Sequence, residues 1–332
     1  MMYRVLTALA VFTLGCGGHY GTRPTTPPTK RPMGSIVNAA LPYQVLDART
    51  GRQLDDGAFW ASLLAARAVC VGEDHTNPHH HWAQLEIVNQ LVKRSAGAPL
   101  ALGLEMIQRP FQGVLDDYGA KRIDAAALRS RVGWEERWGY DWGFYGPTID
   151  AAVAAGAKLL ALNAAREITK RVSKKGLDGL TPEERAQVPE LVLDDPAHRA
   201  WFDDLMESMG GAHGHSTPKD DDAPANPHEA APPDAPAMPS AERIYTVQVI
   251  WDETMADGAA RWLAATPAGR AIILAGNGHC HDSAIVKRLE RRGVGKVVSV
   301  RPVIDADGGV AEVLAKPMND FVLVLQMPRP AP

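Results

Sequence analysis

Four short segments carry side chains able to do chemistry: Gly72-Glu73-Asp74-His75, Glu105-Met106, Asn163 and Gly276-Asn277-Gly278-His279. Two carboxylates and two imidazoles brought together would make a ligand set for a divalent metal ion, or an acid/base pair with an oriented partner. Gly72, Gly276 and Gly278 permit tight turns around them. Each piece is unspecific alone, since Glu-x-His is common and Gly-x-Gly-His can be only a turn. Held apart, Glu73 and Glu105 would cap helices, and His75 and His279 would make buried hydrogen bonds. What joins them is position, because each follows a short apolar run.

Those runs read as strands. Arg67–Gly72 (RAVCVG) is short, apolar and β-rich, and Leu100–Leu104, Lys158–Leu162, Ala271–Ala275, Val297–Val300 and Phe321–Leu325 are further short apolar runs. Helices alternate with them. Asn77-Pro78 reads as an N-cap with proline in the first turn, opening a helix to about Arg94 with Trp82, Leu85, Val88 and Leu91/Val92 on one face. Further helices follow Asn163, through Val172, and run from about Asp282 to Arg292. This alternation predicts an α/β fold, with a mostly parallel sheet flanked by helices. Ligands of such sheets bind outside the carboxyl ends of the strands, which is where all four segments fall. About 107–156 and 181–262 look helical without strands and are expected to form an α-helical cap.

Other residues could line the same edge. His79-His80-His81 opens the first helix, but successive helical positions point about 100° apart, so one or two at most can face a cleft; His80 is taken as a candidate. Arg109 could pair with a carboxylate or bind an anion. Trp134–Tyr145 (WEERWGYDWGFY) is dense in aromatics in a chain only 6% aromatic. It offers packing for the cap, or a wall and an axial ligand for a large flat ligand through Tyr140 and Tyr145. Cys70 reads as inert strand core, Cys280 as an exposed neighbour of His279, and the two are not read as a bridge.

Composition narrows the classes. A 45% hydrophobic content suits a globular chain, and a net charge of −4 argues against general nucleic-acid binding. Three cysteines cannot make a disulfide framework. A mean hydropathy of −0.18 excludes a polytopic membrane protein. There is no Gly-x-Ser-x-Gly elbow and no phosphate-binding Gly-x-x-x-x-Gly-Lys-Ser/Thr loop. At the N-terminus, Arg4 and the apolar run Val5–Leu14 lead to Gly15-Cys16, which resembles a lipobox and makes 1–16 a lipoprotein signal segment with Cys16 as the lipidated residue. Gly17 is not the aspartate of inner-membrane retention, so a lipid anchor in the outer membrane of the cell envelope is expected. Residues 17–40 read as a disordered Pro/Thr/Gly-rich spacer. Residues 210–240, with His213, His215, His228 and Asp220-Asp221-Asp222, read as a disordered insert. The folded domain is placed at 41–328.

Taken together, Gly72-Glu73-x-His75-x-Asn77-Pro78-x-His80-His81-x-x-Gln84, Gly103-Leu104-Glu105-Met106, Gln112 with Leu115-Asp116, Leu162-Asn163, Gln248-x-x-Trp251-Asp252-Glu253-x-Met255-Ala256 and Gly276-x-Gly278-His279 resemble the ChaN-like haem-binding uptake lipoproteins. The wider group includes the Tiki proteins and the erythromycin esterases. The resemblance runs in order from about Ala66 to Arg301. It implies an α/β sheet with a helical subdomain, a role in haem or iron acquisition, and a shared pocket lined by Glu73, His75, Glu105 and His279. Those four are the expected metal ligands if a divalent ion binds, and the catalytic set if the chain is instead a metal-dependent hydrolase. Tyr140, Tyr145, His80, Arg109 and Asn163 are the expected haem contacts. The expected partners are haem or a small molecule, the membrane through the lipid anchor, and a second copy in a homodimer, with no nucleic acid.

Overall fold

The computed structural model describes residues 35–36, 40–95, 97–212, 239–305 and 308–326. The signal segment with Cys16, most of the spacer and most of the 210–240 insert lie outside them. Among the described residues, no helix is long and apolar enough to cross a membrane.

The chain opens with β1 (Tyr43–Asp47), β2 (Gln53–Leu54) and α1 (Asp56–Ala65). Then come β3 (Ala68–Val71), α2 (Pro78–Arg94) and β4 (Leu100–Gln108). A helical stretch follows: α3 (Gln112–Gly119), α4 (Ala125–Val132), α5 (Trp134–Arg137) and α6 (Gly146–Ala154). After β5 (Lys158–Asn163) come α7 (Arg166–Lys175), α8 (Pro182–Arg185), α9 (Pro196–Ala212) and α10 (Ala241–Ala265). The last elements are β6 (Arg270–Leu274), α11 (Lys287–Arg291), β7 (Val297–Ile304), α12 (Gly309–Ala315) and β8 (Phe321–Leu325). The eight strands form one sheet in the order β2-β1-β8-β7-β3-β6-β4-β5. All pairs from β8 to β5 are parallel, while β1 runs antiparallel to both β2 and β8. The sheet is thus mostly parallel, with an antiparallel margin.

Each central strand sends alternate residues to opposite faces. Val69 and Val71 of β3 join a core with α1, α2 and α6, represented by Phe59, Leu91 and Ile149. Ala68 and Cys70 join the other core, with Ile168 of α7, Ile250 and Leu263 of α10, and Leu289 of α11. Both faces being covered explains why β3 is apolar throughout rather than alternating. α10 falls within the stretch expected to be cap, and it packs along this second face of the sheet.

Local chemistry sets the element ends. Asn77 accepts hydrogen bonds from His79 N and His80 N with Pro78 in the first turn, so α2 begins where the sequence places it. The edge strand β5 is blocked by a side chain: Gln112 donates to Leu159 O at 2.9 Å and accepts from Ala161 N at 2.8 Å, as a neighbouring strand would. β4 is longer than its apolar run suggests and reaches Gln108, so Glu105 sits inside the strand, at an irregularity in its register with β5 between Leu104 and Gln108. The expected helix from Asp282 is broken: a π-helical turn, Asp282–Val286, contains non-helical Ala284 before α11 starts.

One expectation is overturned. Cys70 and Cys280 form a disulfide that joins β3 to the turn after β6 across 210 residues of sequence, and neither cysteine is exposed. The pairing is invisible in sequence because β3 and β6 become neighbours only when the sheet forms, with Cys70 opposite Ile273. Closing so long a loop restricts the unfolded chain strongly, by about 3–5 kcal/mol. Cys70→Ala with Cys280→Ala is therefore expected to lower the midpoint of thermal unfolding markedly, while wild type under reducing conditions falls to the same value. A midpoint unchanged from oxidised wild type would contradict the bridge.

Candidate functional site

The loop from β3 to α2 carries Glu73 and His75, β4 carries Glu105, and the turn after β6 carries His279. Gly276 stands between them. A Cβ built there would lie 3.0 Å from His75 Cε1 and 3.7 Å from Glu105 Oε2, so the three chain segments meet at one point and a larger residue would press on the His75 ring. Glu105 Oε2 accepts the Gly276 N–H at 2.6 Å. The neighbouring turn is tighter, since a Cβ on Gly72 would lie 2.2 Å from Asn277 Oδ1.

Glu73 is the centre of the first group. Its side chain has no solvent exposure. Oε1 accepts from His75 Nδ1 at 2.6 Å and from the Tyr145 hydroxyl at 2.9 Å, and Oε2 lies 3.3 Å from His81 Nδ1. Burial alone would raise its pKa, but the two imidazoles and the Tyr145 hydroxyl override it and hold the carboxyl at about 2. Burial works against the charge on His75, yet Glu73, Glu105 and Asp74 push its pKa up to about 9. His75 keeps 20% side-chain exposure and is walled by Trp138 and Tyr140, both with ring centroids 4.8 Å away.

Asp252 of α10 is the centre of the second group. His279 Nδ1 lies 2.6 Å from Asp252 Oδ1, and His198 Nε2 lies 3.0 Å from Oδ2. The other imidazole nitrogen, His279 Nε2, is 3.4 Å from Glu105 Oε1. Burial would raise Asp252, but Arg288, His279 and His198 keep it well below the usual carboxylate range. Burial would lower His279, and Glu105 and Asp252 reverse that, so its pKa is raised.

The four strand-end residues are therefore together, as two ion-paired couples joined at Gly276. Among the described residues, no group of three or more His, Cys, Asp or Glu side chains is arranged to hold a metal ion. The physical reason is that Glu73 and Asp252 already hold imidazoles, and Glu105 is held by a backbone N–H. Tyr140 lines the edge beside His75. Tyr145 is buried, and its hydroxyl donates to Glu73; burial and the Glu73 charge raise its pKa well above 10, which denies it the phenolate form. His80 is buried and accepts from Asp74 N at 3.0 Å, so its Nδ1 is engaged by the backbone of the same loop. Asn163 donates to Glu105 O at 2.9 Å, supporting β4 from behind. Arg109 is bound to Asp257 and Thr254 O, beside a separate small hollow lined by Ile250 and Val188.

Sequence reasoning missed the roles of His81 and Asp252. Both carried a signal. His81 lies on the helical face of Gln84, Val88 and Leu91, all buried, and Asp252 shares the inward face of α10 with Gln248, Met255 and Ala259. A polar group on the apolar face of an amphipathic helix needs a buried partner.

The His279–Asp252 pair makes stability depend on pH. With its folded pKa raised, His279 contributes stability fully below its unfolded pKa of about 6.5, and loses it as pH rises through the folded value. The unfolding midpoint of wild type is expected to fall above pH 6.5, and His279→Gln should lessen that fall. Parallel profiles for the two proteins would exclude the pairing.

The fold has relatives. Among solved structures, ChaN of Campylobacter jejuni, reported with cofacial haem bound, is 19% identical over 86% of this chain and 97% of that one, with a TM-score of 0.60. The type III effector HopBA1 (12% identity, 88% and 100% coverage, TM-score 0.42) and an erythromycin esterase in its open conformation (13%, 85% and 82%, TM-score 0.41) are more distant. No curated protein matches significantly. The family model described as haem-binding uptake, Tiki superfamily, ChaN matches residues 59–289, most of the chain. By that match, the chain belongs to the ChaN family of haem-binding uptake proteins.

Proposed function

We propose that this protein is a lipid-anchored protein of the cell envelope that binds haem for uptake, at the carboxyl edge of the parallel strands. The observation that carries the reading is the state of His75. Its Nδ1 is fixed on Glu73, while Nε2 has no hydrogen-bond partner among the described residues and the side chain stays partly exposed. An imidazole held by Nδ1 keeps its other nitrogen for a ligand, and because Glu73 pushes the His75 pKa up to about 9, iron would have to displace the proton on Nε2. Trp138 and Tyr140 beside it supply apolar surface for a porphyrin face. The residues present thus suit haem. His75 and Tyr140 would meet it, and Tyr145 would act at one remove by holding Glu73.

Membership of the family supports this ligand. The Gly15-Cys16 junction supports the anchor, Gly17 the outer membrane, and the buried disulfide an oxidising compartment outside the cytoplasm.

Haemin titration followed by the Soret band tests the ligand. His75→Ala and Tyr140→Phe are expected to change the spectrum and weaken binding by about tenfold or more, while Arg109→Gln, whose side chain is bound to Asp257 and Thr254 O, leaves both unchanged. Failure of wild type to bind haemin, or identical spectra for all variants, would end this reading. For the anchor, Cys16→Ser should abolish lipid labelling and leave the chain unprocessed or outside the outer-membrane fraction. Normal processing and fractionation of that variant would refute it.

A further inference from the structure

β7 lies parallel beside β3, and the Gly72 N–H donates to Val300 O at 2.9 Å. Arg301, the next residue of β7, therefore stands at the edge that carries the Glu/His groups. Its side chain is half-buried, and its Nε is buried with no hydrogen-bond partner. Among the described residues, no hydrogen bond or ion pair reaches its guanidinium. The Nε atoms of Arg129, Arg166, Arg171 and Arg288 also lack a hydrogen bond, but each of those guanidiniums is engaged: Arg129 by Glu135, Arg166 by Glu136 O, Arg171 by Glu184 and Arg288 by carbonyls and Asp252; Arg109 is bound by Asp257, and Arg67 and Arg270 by carbonyls.

The acids that act on Arg301 do so from a distance. Asp74 is engaged elsewhere, accepting from Asn277 Nδ2 at 2.9 Å and facing His80 Nδ1 at 3.6 Å, and Glu312 lies on exposed α12. Burial lowers the pKa of Arg301 against the pull of these two acids, and Arg301 in turn helps to keep buried His80 neutral. A cation drawn partly out of water with no close partner is costly unless something else completes it. The loop that carries His75 leaves β3, the strand beside β7, so Arg301 and His75 stand at the carboxyl ends of adjacent strands. A porphyrin carries its carboxylates at the rim, away from the metal at its centre.

We propose that Arg301 is an anchor for a carboxylate of the ligand, and that on the haem reading, on which this inference rests, the carboxylate is a haem propionate. A guanidinium with free N–H groups matches a carboxylate in geometry as well as in charge. The pocket then has two poles: His75 with its aromatic wall toward the metal centre, and Arg301 toward the acidic rim.

Haemin and haemin dimethyl ester, which lacks the free carboxylates, are titrated into wild type, Arg301→Met and Arg301→Lys. Wild type is expected to bind haemin about tenfold or more tightly than the ester. Arg301→Met should lose that preference, with haemin weakened to the level of the ester and the ester unchanged, and Arg301→Lys should restore part of it. Added salt should weaken haemin binding to wild type more than to Arg301→Met. The unfolding midpoint of Arg301→Met should equal or exceed that of wild type, because no internal partner is lost; a large fall would assign Arg301 a structural role and overturn the anchor. Equal affinity of wild type for haemin and the ester, or an undiminished preference in Arg301→Met, would overturn it while leaving haem binding standing. No haemin binding by wild type would overturn both.

Discussion

A carboxylate with no access to water must be met by donors, and the edge of this sheet is arranged around that constraint. Glu73 has no solvent exposure, and three side chains from three places meet it: His75 from its own loop, His81 from the first turns of α2, and Tyr145 from the end of the aromatic stretch. Satisfying one buried charge thereby fixes a loop, a helix start and a cap segment together. Asp252 does the same from the other face of the sheet, tying α10 to His198 of α9, to Arg288 of α11 and to the His279 turn. The ring of His81 stacks on Phe144 at 4.7 Å, so the polar group is also sealed by aromatic packing. The two acids do not touch. They are coupled through Glu105 and the Gly276 turn, where the space for a side chain is already filled.

The sheet was legible because parallel strands buried on both faces read as continuous apolar runs. β8 begins and ends at the residues read from sequence, and α2 starts at its Asn-Pro cap. β1 was not legible: its pattern mixes exposed and buried positions, and its place depends on antiparallel pairing with β8, the last strand of the chain. Glu105 reads as lying after its strand because a charged residue ends an apolar run; the backbone continues extended past it to Gln108. Strand ends also identified Glu73, His75, Glu105 and His279 as neighbours, since topology alone brings carboxyl ends to one edge. Which histidine of the triplet turned inward needed the helical phase of Val88 and Leu91, carried back one turn at a time.

The disulfide escaped the same reasoning because a cysteine inside an apolar strand is indistinguishable from packing. Once formed, it has a positional consequence. Cys280 follows His279 directly, and its carbonyl accepts from Asn319 Nδ2 at 2.6 Å. The turn that presents His279 is therefore held by the bridge to β3 at one end and by the Glu105–Gly276 hydrogen bond at the other. With Gln248 donating to Gly278 O at 3.2 Å as well, His279 has little freedom to swing toward a moving substrate. Such fixation suits a preformed binding surface, where ordering costs are met on folding rather than on ligand capture.

The charge states point the same way. A general acid or base works best with a pKa near the pH at which it operates, because it must gain and lose a proton readily. Glu73 is held at about 2 and His75 at about 9, each by the other, so neither is poised for proton transfer near neutrality. Tyr145 is locked as a donor, and Asp252 is locked as an anion. The groups that the wider family resemblance would recruit for hydrolysis are here engaged in stabilising one another. The edge is thus a set of mutually fixed charges: Glu73 with His75 on one side, and Asp252 with His279 on the other.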